Sequence, residues 1–214
     1  MYNTYIFDLD GTLLNTIDDL TASTNYALQT YGMPTWSTND VRRFVGNGVR
    51  KLIERAIPEG AQHPLFEEVF RCFRTHYAQH DMDHTCPYEG IPEMLHNLKE
   101  RKCRLAVVSN KFHAATQALC RHFFPDTFEV AIGENEAAGI RKKPAPDTVL
   151  EALRQLGVGK EQAVYVGDSD VDIQTACNSG MPCISVLWGF RDQEFLLAHG
   201  ATTFIETPEE LLNL

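Results

Sequence analysis

Two aspartates stand one residue apart directly after a short apolar run, in the segment YIFDLDGTLLNT at residues 5–16. The run over residues 5–9 is short, rich in aromatic residues and closed by Gly11, which predicts a buried strand that ends in a turn. Asp8 then lies at the carboxyl end of that strand. Two carboxylates held close together repel each other, and burying them without a partner is costly. The pattern therefore predicts that a cation meets Asp8 and Asp10.

Other polar side chains follow three later apolar runs, two at the end of the run and one in the loop after it. They are Ser109 and Asn110 in VVSN, Lys143 in RKKPAPD, and Asp168, Asp170 and Asp172 in VGDSDVD. The carboxyl ends of parallel strands meet at one edge of a sheet, and ligands bind there where the strand order changes. The spacing therefore predicts a single site that is built from four separated segments of the chain.

From residue 86 onward the periodicity alternates between helix and strand. Strands are predicted at 104–108, 128–132, 163–167 and 183–187, and helices at 92–99, 114–122, 146–156 and 170–179. Strands that alternate with helices imply crossover connections and a mainly parallel sheet. The predicted fold class is α/β, with a doubly wound, Rossmann-like parallel sheet at its core.

The segment before residue 86 has a helical pattern with no strand between its helices. Helical spacing begins at Ile17 and is stopped by Gly32 and Pro34, and further helices are predicted at 39–44, 49–56 and 65–80. The sequence thus predicts two domains. An α/β core comprises residues 1–15 and 86–214, and a small helical domain over residues 16–85 is inserted into it.

Composition limits the kinds of partner. The 214 residues carry 29 acidic and 19 basic side chains, and the formal net charge is -10. This balance argues against a general affinity for nucleic acid or for an anionic membrane surface. No apolar run approaches the ~18–20 residues that span a bilayer, and the N-terminus opens into the aspartate motif without a basic leader. We expect a globular, cytoplasmic protein with no nucleic-acid or membrane partner.

Taken in order, the four motifs resemble those of the haloacid dehalogenase superfamily of aspartate-based phosphotransferases. DLDGTLLNT is similar to the first motif of that family, VSN to the second, KKPAPD to the third and GDSDVD to the fourth. The resemblance implies that the helical domain at 16–85 is the small cap of the family, inserted after the first motif. Dehalogenase members lack the second aspartate of the first motif, so Asp10 favours phosphoryl transfer.

The resemblance also assigns roles to the two aspartates of the first motif. Phosphate monoesters hydrolyse very slowly unassisted, so an enzyme must neutralise charge, align a nucleophile and protonate the leaving oxygen. Asp8 is expected to be the nucleophile that forms an aspartyl phosphate. Asp10 is expected to protonate the leaving group and then to deprotonate the attacking water.

Further groups are expected to bind the phosphate. They are the Ser109 hydroxyl, the backbone amides of Asn110 and Gly11, Thr12, and the positive charge of Lys143. Lys143 is preferred to its neighbour Lys142 because the lysine of the family directly precedes a proline.

A magnesium ion is the expected cofactor. By resemblance, Asp8, Asp168 and the backbone carbonyl of Asp10 bind it, and Asp172 supports the ion or its waters. An all-oxygen site with room for water and phosphate suits Mg²⁺ better than zinc. Asp170 is interpreted as a helix cap instead.

The segments DDLTASTNYALQTYGMP, VGNGVRKLIERAI and WGFRDQEFLLAHGA resemble the phosphoglycolate phosphatase branch. The expected substrate is a small phosphorylated metabolite, which Asn47, Gly48 and Arg50 would contact, with Arg42 and Arg43 as alternatives. Surface arginines on an amphipathic helix are an equally simple interpretation. Phosphatases of sugar phosphates, nucleotides or pyrophosphate share this architecture, and a phosphomutase or a non-catalytic binding module are further alternatives. A monomer or weak dimer is expected.

Overall fold

The structure, a computed structural model, describes residues 2–135 and 139–214. Within these ranges the strands are β1 (Thr4–Phe7), β2 (Leu14–Asn15), β3 (Cys86–Pro87), β4 (Arg104–Phe112), β5 (Val130–Glu134), β6 (Ala163–Gly167), β7 (Cys183–Val186) and β8 (Phe204–Ile205). The α-helices are α1 (Ile17–Thr30), α2 (Thr38–Phe44), α3 (Val49–Ala56), α4 (Phe66–His80), α5 (Ile91–Glu100), α6 (His113–Phe123), α7 (Asp147–Leu156), α8 (Asp170–Ser179) and α9 (Gln193–Ala198). In this described part of the chain, no helix combines the length and the apolar character needed to cross a membrane.

Six strands form one sheet in the order β5-β4-β1-β6-β7-β8. Every neighbouring pair in it is parallel. In β1, Phe7 is paired with Val107 of β4 on one side and with Val166 of β6 on the other. Strand order reverses at β1, so the carboxyl ends of β4, β1 and β6 form the crevice where ligands bind in such sheets. The predicted α/β class and parallel sheet are confirmed.

One face of the sheet is covered by α7 and α8 through a buried apolar cluster. The cluster includes Ile6 of β1 and Tyr165 of β6, together with Val149 and Leu153 of α7 and Ala176 of α8. The alternation of a strand sends neighbouring side chains to opposite faces, so Tyr5 and Phe7 point away from Ile6 and their rings stack with centroids 6.2 Å apart. β1 is therefore buried on both faces, as its continuous apolar sequence indicates.

Several strand boundaries differ from the prediction. β4 continues to Phe112, four residues beyond the predicted end at 108, and its pairing with β5 shifts register between Val108 and Phe112. Ser109 and Asn110 therefore lie inside an irregular part of the strand and do not follow it. β5 lies at Val130–Glu134 where 128–132 was predicted. Polar residues in the continuing strand concealed its length, because strand prediction depends on apolar periodicity.

The chain divides into two compact units, which are described separately. Unit 1 comprises residues 1–14 and 87–214, and unit 2 comprises residues 15–86. These divisions fall one residue from the boundaries that the sequence predicts. Strands β2 and β3 contain the two points at which the chain passes between the units, and they pair in a small sheet of their own.

Unit 2 is an assembly of the helices α1 to α4, in which α1 packs along α4. Leu20, Ala27 and Leu28 of α1 are buried, as are Phe73 and Tyr77 of α4. Spacings of seven and eight residues in α1 and of four residues in α4 put these side chains on one face of each helix. The helical pattern of the sequence thus follows the buried faces of this unit.

Asp19, near the start of α1, holds the far end of unit 2 against that helix. Its side chain is 1% exposed, and its Oδ2 accepts hydrogen bonds from the Thr85 backbone N–H at 2.9 Å and the Thr85 hydroxyl at 2.8 Å. Oδ1 accepts from the His84 backbone N–H at 2.9 Å. A buried carboxylate with this many donors is structural, because removing it leaves each donor without its acceptor.

We expect Asp19→Asn to lower the free energy of unfolding by about 1–3 kcal/mol, since the new amide NH₂ faces N–H groups that need an acceptor. Thermal and urea unfolding monitored by circular dichroism would measure this change. The matched control is Asp18→Asn on the exposed side of the same turn, for which we expect little change. Equal destabilisation by the two substitutions would contradict a specific anchoring role for Asp19.

Candidate active site

Asp8 directly follows β1 and lies in the crevice predicted from the strand order. Its backbone N–H donates to the Val166 carbonyl at 2.9 Å, which continues the pairing of β1 with β6 by one residue. The Asp8 side chain is nearly buried, and its Oδ1 lies 2.8 Å from the Nζ of Lys143. The buried carboxylate of Asp8 therefore has an ammonium as its direct partner. The sequence predicts a cation beside Asp8, and Lys143 is one such cation.

Lys143 is fixed at both ends of its side chain. At the backbone, the Asn110 side chain accepts from the Lys143 N–H at 2.8 Å and donates to the Lys143 carbonyl at 3.0 Å. At the tip, Nζ contacts Asp8, lies 2.8 Å from Oδ1 of Asp172, and donates to the Tyr165 hydroxyl at 3.0 Å. Of the two adjacent lysines, it is therefore Lys143, as predicted, that meets Asp8.

The surroundings of Lys143 keep it charged. Burial by itself lowers the pKa of a lysine, but the carboxylates of Asp172 and Asp8 more than offset this effect and raise the pKa of Lys143. The Tyr165 hydroxyl donates to the same Asp172 oxygen at 3.0 Å. Burial, and then Asp172, raise the pKa of Tyr165, so it stays a neutral donor. The site thus contains a permanent ammonium.

Asp168 directly follows β6 and is 1% exposed. Its Oδ1 accepts from the Thr12 hydroxyl at 3.2 Å, and its Oδ2 accepts from the Phe190 backbone N–H at 2.8 Å. A Cβ atom built on Gly189 would lie 2.2 Å from the Asp168 Cβ, and one built on Gly11 would lie 2.4 Å from its Oδ2. Glycine at these two positions therefore makes room for the carboxylate.

Asp172 stands at the third position of α8 and is fully buried. Its Oδ2 accepts from the Ser169 hydroxyl at 2.6 Å and the Ser169 backbone N–H at 3.1 Å, forming a capping box. The cap of α8 is thus Ser169, and the prediction that Asp170 caps this helix was wrong. Asp170 is the first residue inside the helix, because the serine before it occupies the cap position and its Oγ accepts from the Asp172 backbone N–H.

The carboxylates of Asp8, Asp168 and Asp172 form one cluster, in which an oxygen from each lies within 4.8 Å of the others. Burial and then the neighbouring Asp172 raise the pKa of Asp8 well above its usual range, and the same causes raise the pKa of Asp168 to about 7. The cluster contains three carboxylates, and the single ammonium of Lys143 does not balance their charge when all three are ionised. A divalent cation would balance it, and the all-oxygen donor set fits Mg²⁺.

Asp10 has a partner that the sequence analysis did not identify. Its Oδ1 lies 3.1 Å from the Nζ of Lys111, whose side chain is 2% exposed. Lys111 lies two residues after Ser109 in the irregular part of β4. A lysine inside the otherwise uncharged segment LAVVSNKF is the signal that would have identified it, because a lysine is rarely buried without a partner.

The first turn after β1 is not arranged as expected at one position. The Gly11 N–H, predicted to donate to phosphate, donates to the Leu14 carbonyl at 2.9 Å. The prediction that this N–H donates to phosphate is therefore corrected. Gly11 is required instead for its positive φ of 90° and for the room that it leaves beside Asp168. Thr12 contacts Asp168, and its carbonyl accepts from the Trp188 Nε1 at 2.9 Å.

Ser109 and Asn110 lie in the bulged part of β4 and are buried. The Ser109 Oγ accepts from the Lys111 backbone N–H at 3.1 Å, an arrangement that leaves the hydroxyl proton able to donate elsewhere. The Asn110 side chain holds the backbone of Lys143, a structural role that the sequence did not indicate.

The three residues predicted to contact substrate from the helical domain lie in unit 2. Asn47 accepts from the Arg55 guanidinium at 2.6 Å, and Gly48 precedes the first residue of α3 with a φ of 85°. Arg50 pairs with Glu67, and its guanidinium carbon lies 4.8 Å from the ring centroid of Phe66. Within unit 2, Arg50 therefore has local partners that account for its position on the helix.

Comparison with known proteins identifies the family. The family model described as haloacid dehalogenase-like hydrolase matches residues 5–186. A phosphoglycolate phosphatase of Aquifex aeolicus is 33% identical over 186 residues, which cover 86% of this chain and 84% of that protein. An N-acetylmuramic acid 6-phosphate phosphatase of Pseudomonas aeruginosa is 29% identical, covering 98% of this chain and 92% of that protein.

A solved structure from Lactobacillus delbrueckii subsp. bulgaricus, provisionally assigned as a phosphoglycolate phosphatase, superposes with a TM-score of 0.93 at 40% identity. The superposition covers 98% of this chain and 96% of that one. The chain therefore belongs to the haloacid dehalogenase-like hydrolases. Within that family it is a phosphatase, of the phosphoglycolate phosphatase-like branch.

The close packing around Asp168 leads to a steric prediction. We expect Gly189→Ala to push the Asp168 side chain out of its position, because the added methyl group would overlap its Cβ and Cγ. The free energy of unfolding should fall by about 1–3 kcal/mol and phosphatase activity should fall at least tenfold. Thermal unfolding and phosphate release would measure the two effects.

Gly159→Ala is the matched control, because a Cβ atom there would meet only the flexible side chain of Glu161. It should leave both activity and stability close to those of the unchanged protein. Full activity in the Gly189→Ala variant would contradict the requirement for glycine beside Asp168.

Proposed function

We propose that this protein is a magnesium-dependent phosphomonoester hydrolase that acts through an aspartyl phosphate on Asp8, with phosphoglycolate as its substrate. The observation that carries the proposal is the buried carboxylate of Asp8 at the end of the central strand, 2.8 Å from the Lys143 ammonium. The buried carboxylates of Asp168 and Asp172 lie beside it, each with an oxygen within 4.8 Å of an Asp8 oxygen. This arrangement supplies a nucleophile together with the positive charge that an anionic substrate requires.

Asp8 is the nucleophile in this mechanism. One of its carboxylate oxygens forms a bond to phosphorus as the bond between phosphorus and the leaving oxygen breaks. Two like charges repel by about 1 kcal/mol per unit-charge pair at 4 Å in water, and several-fold more in a drier site. Lys143 offsets this repulsion because its ammonium touches Asp8 directly and adds positive charge where the phosphate arrives.

Asp10 serves both half-reactions. It gives its proton to the leaving oxygen in the first half, and in the second half it takes a proton from the water that attacks phosphorus. The bond between phosphorus and Asp8 then breaks, which releases phosphate and restores the carboxylate. Asp10 is suited to this exchange since its side chain is less buried than Asp8 and stands two residues away on the turn.

The bound Mg²⁺ would neutralise part of the charge on the phosphate and on Asp8. Asp8, Asp168 and the Asp10 carbonyl would hold the ion. Both oxygens of Asp172 already accept hydrogen bonds from side chains of the protein, so we infer that it acts mainly by holding Lys143 and Ser169 and by adding negative charge. The Ser109 hydroxyl completes the set by donating to a phosphate oxygen.

Phosphoglycolate is proposed because relatives that align with most of this chain are named phosphoglycolate phosphatase. A sugar phosphate is the second candidate, supported by the similar N-acetylmuramic acid 6-phosphate phosphatase. We further propose that residues 16–85 act as a cap that excludes water from the phosphoenzyme and selects the non-phosphate part of the substrate. A cytoplasmic location remains a prediction of the sequence.

The substrate is tested by phosphate release from a panel of phosphoglycolate, sugar phosphates, nucleoside monophosphates and pyrophosphate. The rates are measured with Mg²⁺ and again with excess chelator. We expect release only with Mg²⁺, and the highest kcat/KM for phosphoglycolate. A higher kcat/KM for a sugar phosphate would replace the proposed substrate and leave the chemistry intact, whereas full activity in chelator would overturn the magnesium requirement.

The nucleophile is tested separately with Asp8→Asn, which keeps the shape of the side chain and removes its negative charge. We expect turnover to fall at least 10⁴-fold, with the thermal midpoint of unfolding unchanged or raised, because one buried negative charge is lost. Trapping with a labelled substrate and acid quench should detect phosphate bound to the unchanged protein and not to this variant.

Asp170→Asn is the matched control, because Asp170 lies on the neighbouring segment and outside the carboxylate cluster. It should keep nearly full activity. Substantial magnesium-dependent turnover in Asp8→Asn would remove Asp8 from the role of nucleophile.

A further inference from the structure

Lys111 is a second buried ammonium of unit 1, and the mechanism above does not use it. The residue is 3% exposed, and its Nζ lies 3.1 Å from Oδ1 of Asp10. Burying an ammonium is costly unless a charge partner and hydrogen bonds compensate for it. Lys111 therefore places a buried cation beside Asp10, the proposed general acid, at the point where the leaving group is released.

The backbone of Lys111 is fixed from both sides. Its N–H donates to the Ser109 Oγ at 3.1 Å, and its carbonyl accepts from the Thr116 hydroxyl at 3.4 Å. Strand β5 approaches closely at Gly133, where an added Cβ would lie 2.5 Å from the Lys111 carbonyl oxygen. The root of the side chain is thus held in place, and its ammonium is positioned before any substrate arrives.

The position of Lys111 relative to Asp10 determines what it can reach. A general acid lies ~2.6–3.2 Å from the oxygen that it protonates. Because Lys111 and the leaving oxygen would contact the same carboxylate, the ammonium would stand roughly 4–6 Å from the leaving oxygen. An anionic group attached one carbon away from that oxygen would fall within hydrogen-bond reach of Lys111.

We propose that Lys111 is a specificity-determining residue that recognises a carboxylate on the leaving group of the substrate. The inference rests on the proposed function and deepens it, because phosphoglycolate carries its carboxylate on the carbon bonded to the leaving oxygen. Charge complementarity supports it, since hydrogen bonds between charged groups are the strong ones in a dry site. The rival role is purely positional, in which Lys111 only orients Asp10 for every substrate alike.

A pair of substrates distinguishes these roles: 2-phosphoglycolate, and 2-hydroxyethyl phosphate, which has the same chain length and a neutral leaving group. The full chain with Mg²⁺ should show a higher kcat/KM for phosphoglycolate. Lys111→Met keeps the length and apolar stem of the side chain, and we expect it to lose about 10–100-fold in kcat/KM on phosphoglycolate and less than fivefold on hydroxyethyl phosphate. Lys111→Arg should retain the preference, because it retains the charge.

An equal loss on both substrates would overturn the proposal and assign Lys111 to the positioning of Asp10. Comparable rates of the unchanged protein on the two substrates would also overturn it, without any variant being needed, while leaving the phosphatase chemistry in place. Hydrolysis of neither substrate would instead refute the proposed function on which the inference rests. Should Lys111→Met fail to fold, Lys111→Gln, which keeps a donor towards Asp10, gives the same comparison.

Discussion

The ion pair of Lys143 with Asp8 and Asp172 is the interaction around which the candidate active site of unit 1 is arranged. The two carboxylates are almost completely buried, and Lys143 lies 2.8 Å from an oxygen of each. Buried charges of one sign are stable only when opposite charge meets them directly. The chain delivers that charge from the segment between β5 and α7, and the Asn110 side chain clamps its backbone in place. Sheet, connecting segment and helix cap are thus coupled through one ammonium.

The same crowding explains why glycines surround the site. Gly11 and Gly189 stand against Asp168, and Gly167 stands against Asp172, in each case closer than a Cβ atom allows. Their absent side chains let backbone segments approach the carboxylates and donate N–H groups to them, as the Phe190 N–H does. The carboxylates are therefore closely packed and held in place. In consequence, Gly11, Gly167 and Gly189 do not tolerate a larger residue.

Apolar periodicity is a local signal, and it predicted the parallel sheet. Asp8 and Asp168 directly follow apolar runs, whereas Lys143 lies in a loop and was chosen by family resemblance. The structure places Asp8 close to both of the others. What the sequence could not predict depends on three-dimensional detail. The direction of the Gly11 N–H is set by a turn hydrogen bond to Leu14. The sequence contains a signal for Lys111 itself, but the pairing of Lys111 with Asp10 is visible only in the structure.

Hydrophobic periodicity also could not predict two short elements, a strand and a helix. β8 has two residues and α9 six, so neither contains a full hydrophobic period. The cap of α8 was assigned to Asp170 although Ser169 precedes it, because both residue types favour this position and only the geometry distinguishes them. Errors of this kind shift an element by a residue and leave the topology correct.

Unit 2 is one uninterrupted stretch of the chain, from residue 15 to residue 86. The chain leaves unit 1 through β2 and returns through β3, and these two strands are paired neighbours. An insertion whose ends lie side by side can be lengthened, trimmed or exchanged by a single recombination event, because the host fold needs only those two ends to stay adjacent. Evolution can therefore replace this helical segment as a single piece while the strand register of unit 1 is inherited unchanged.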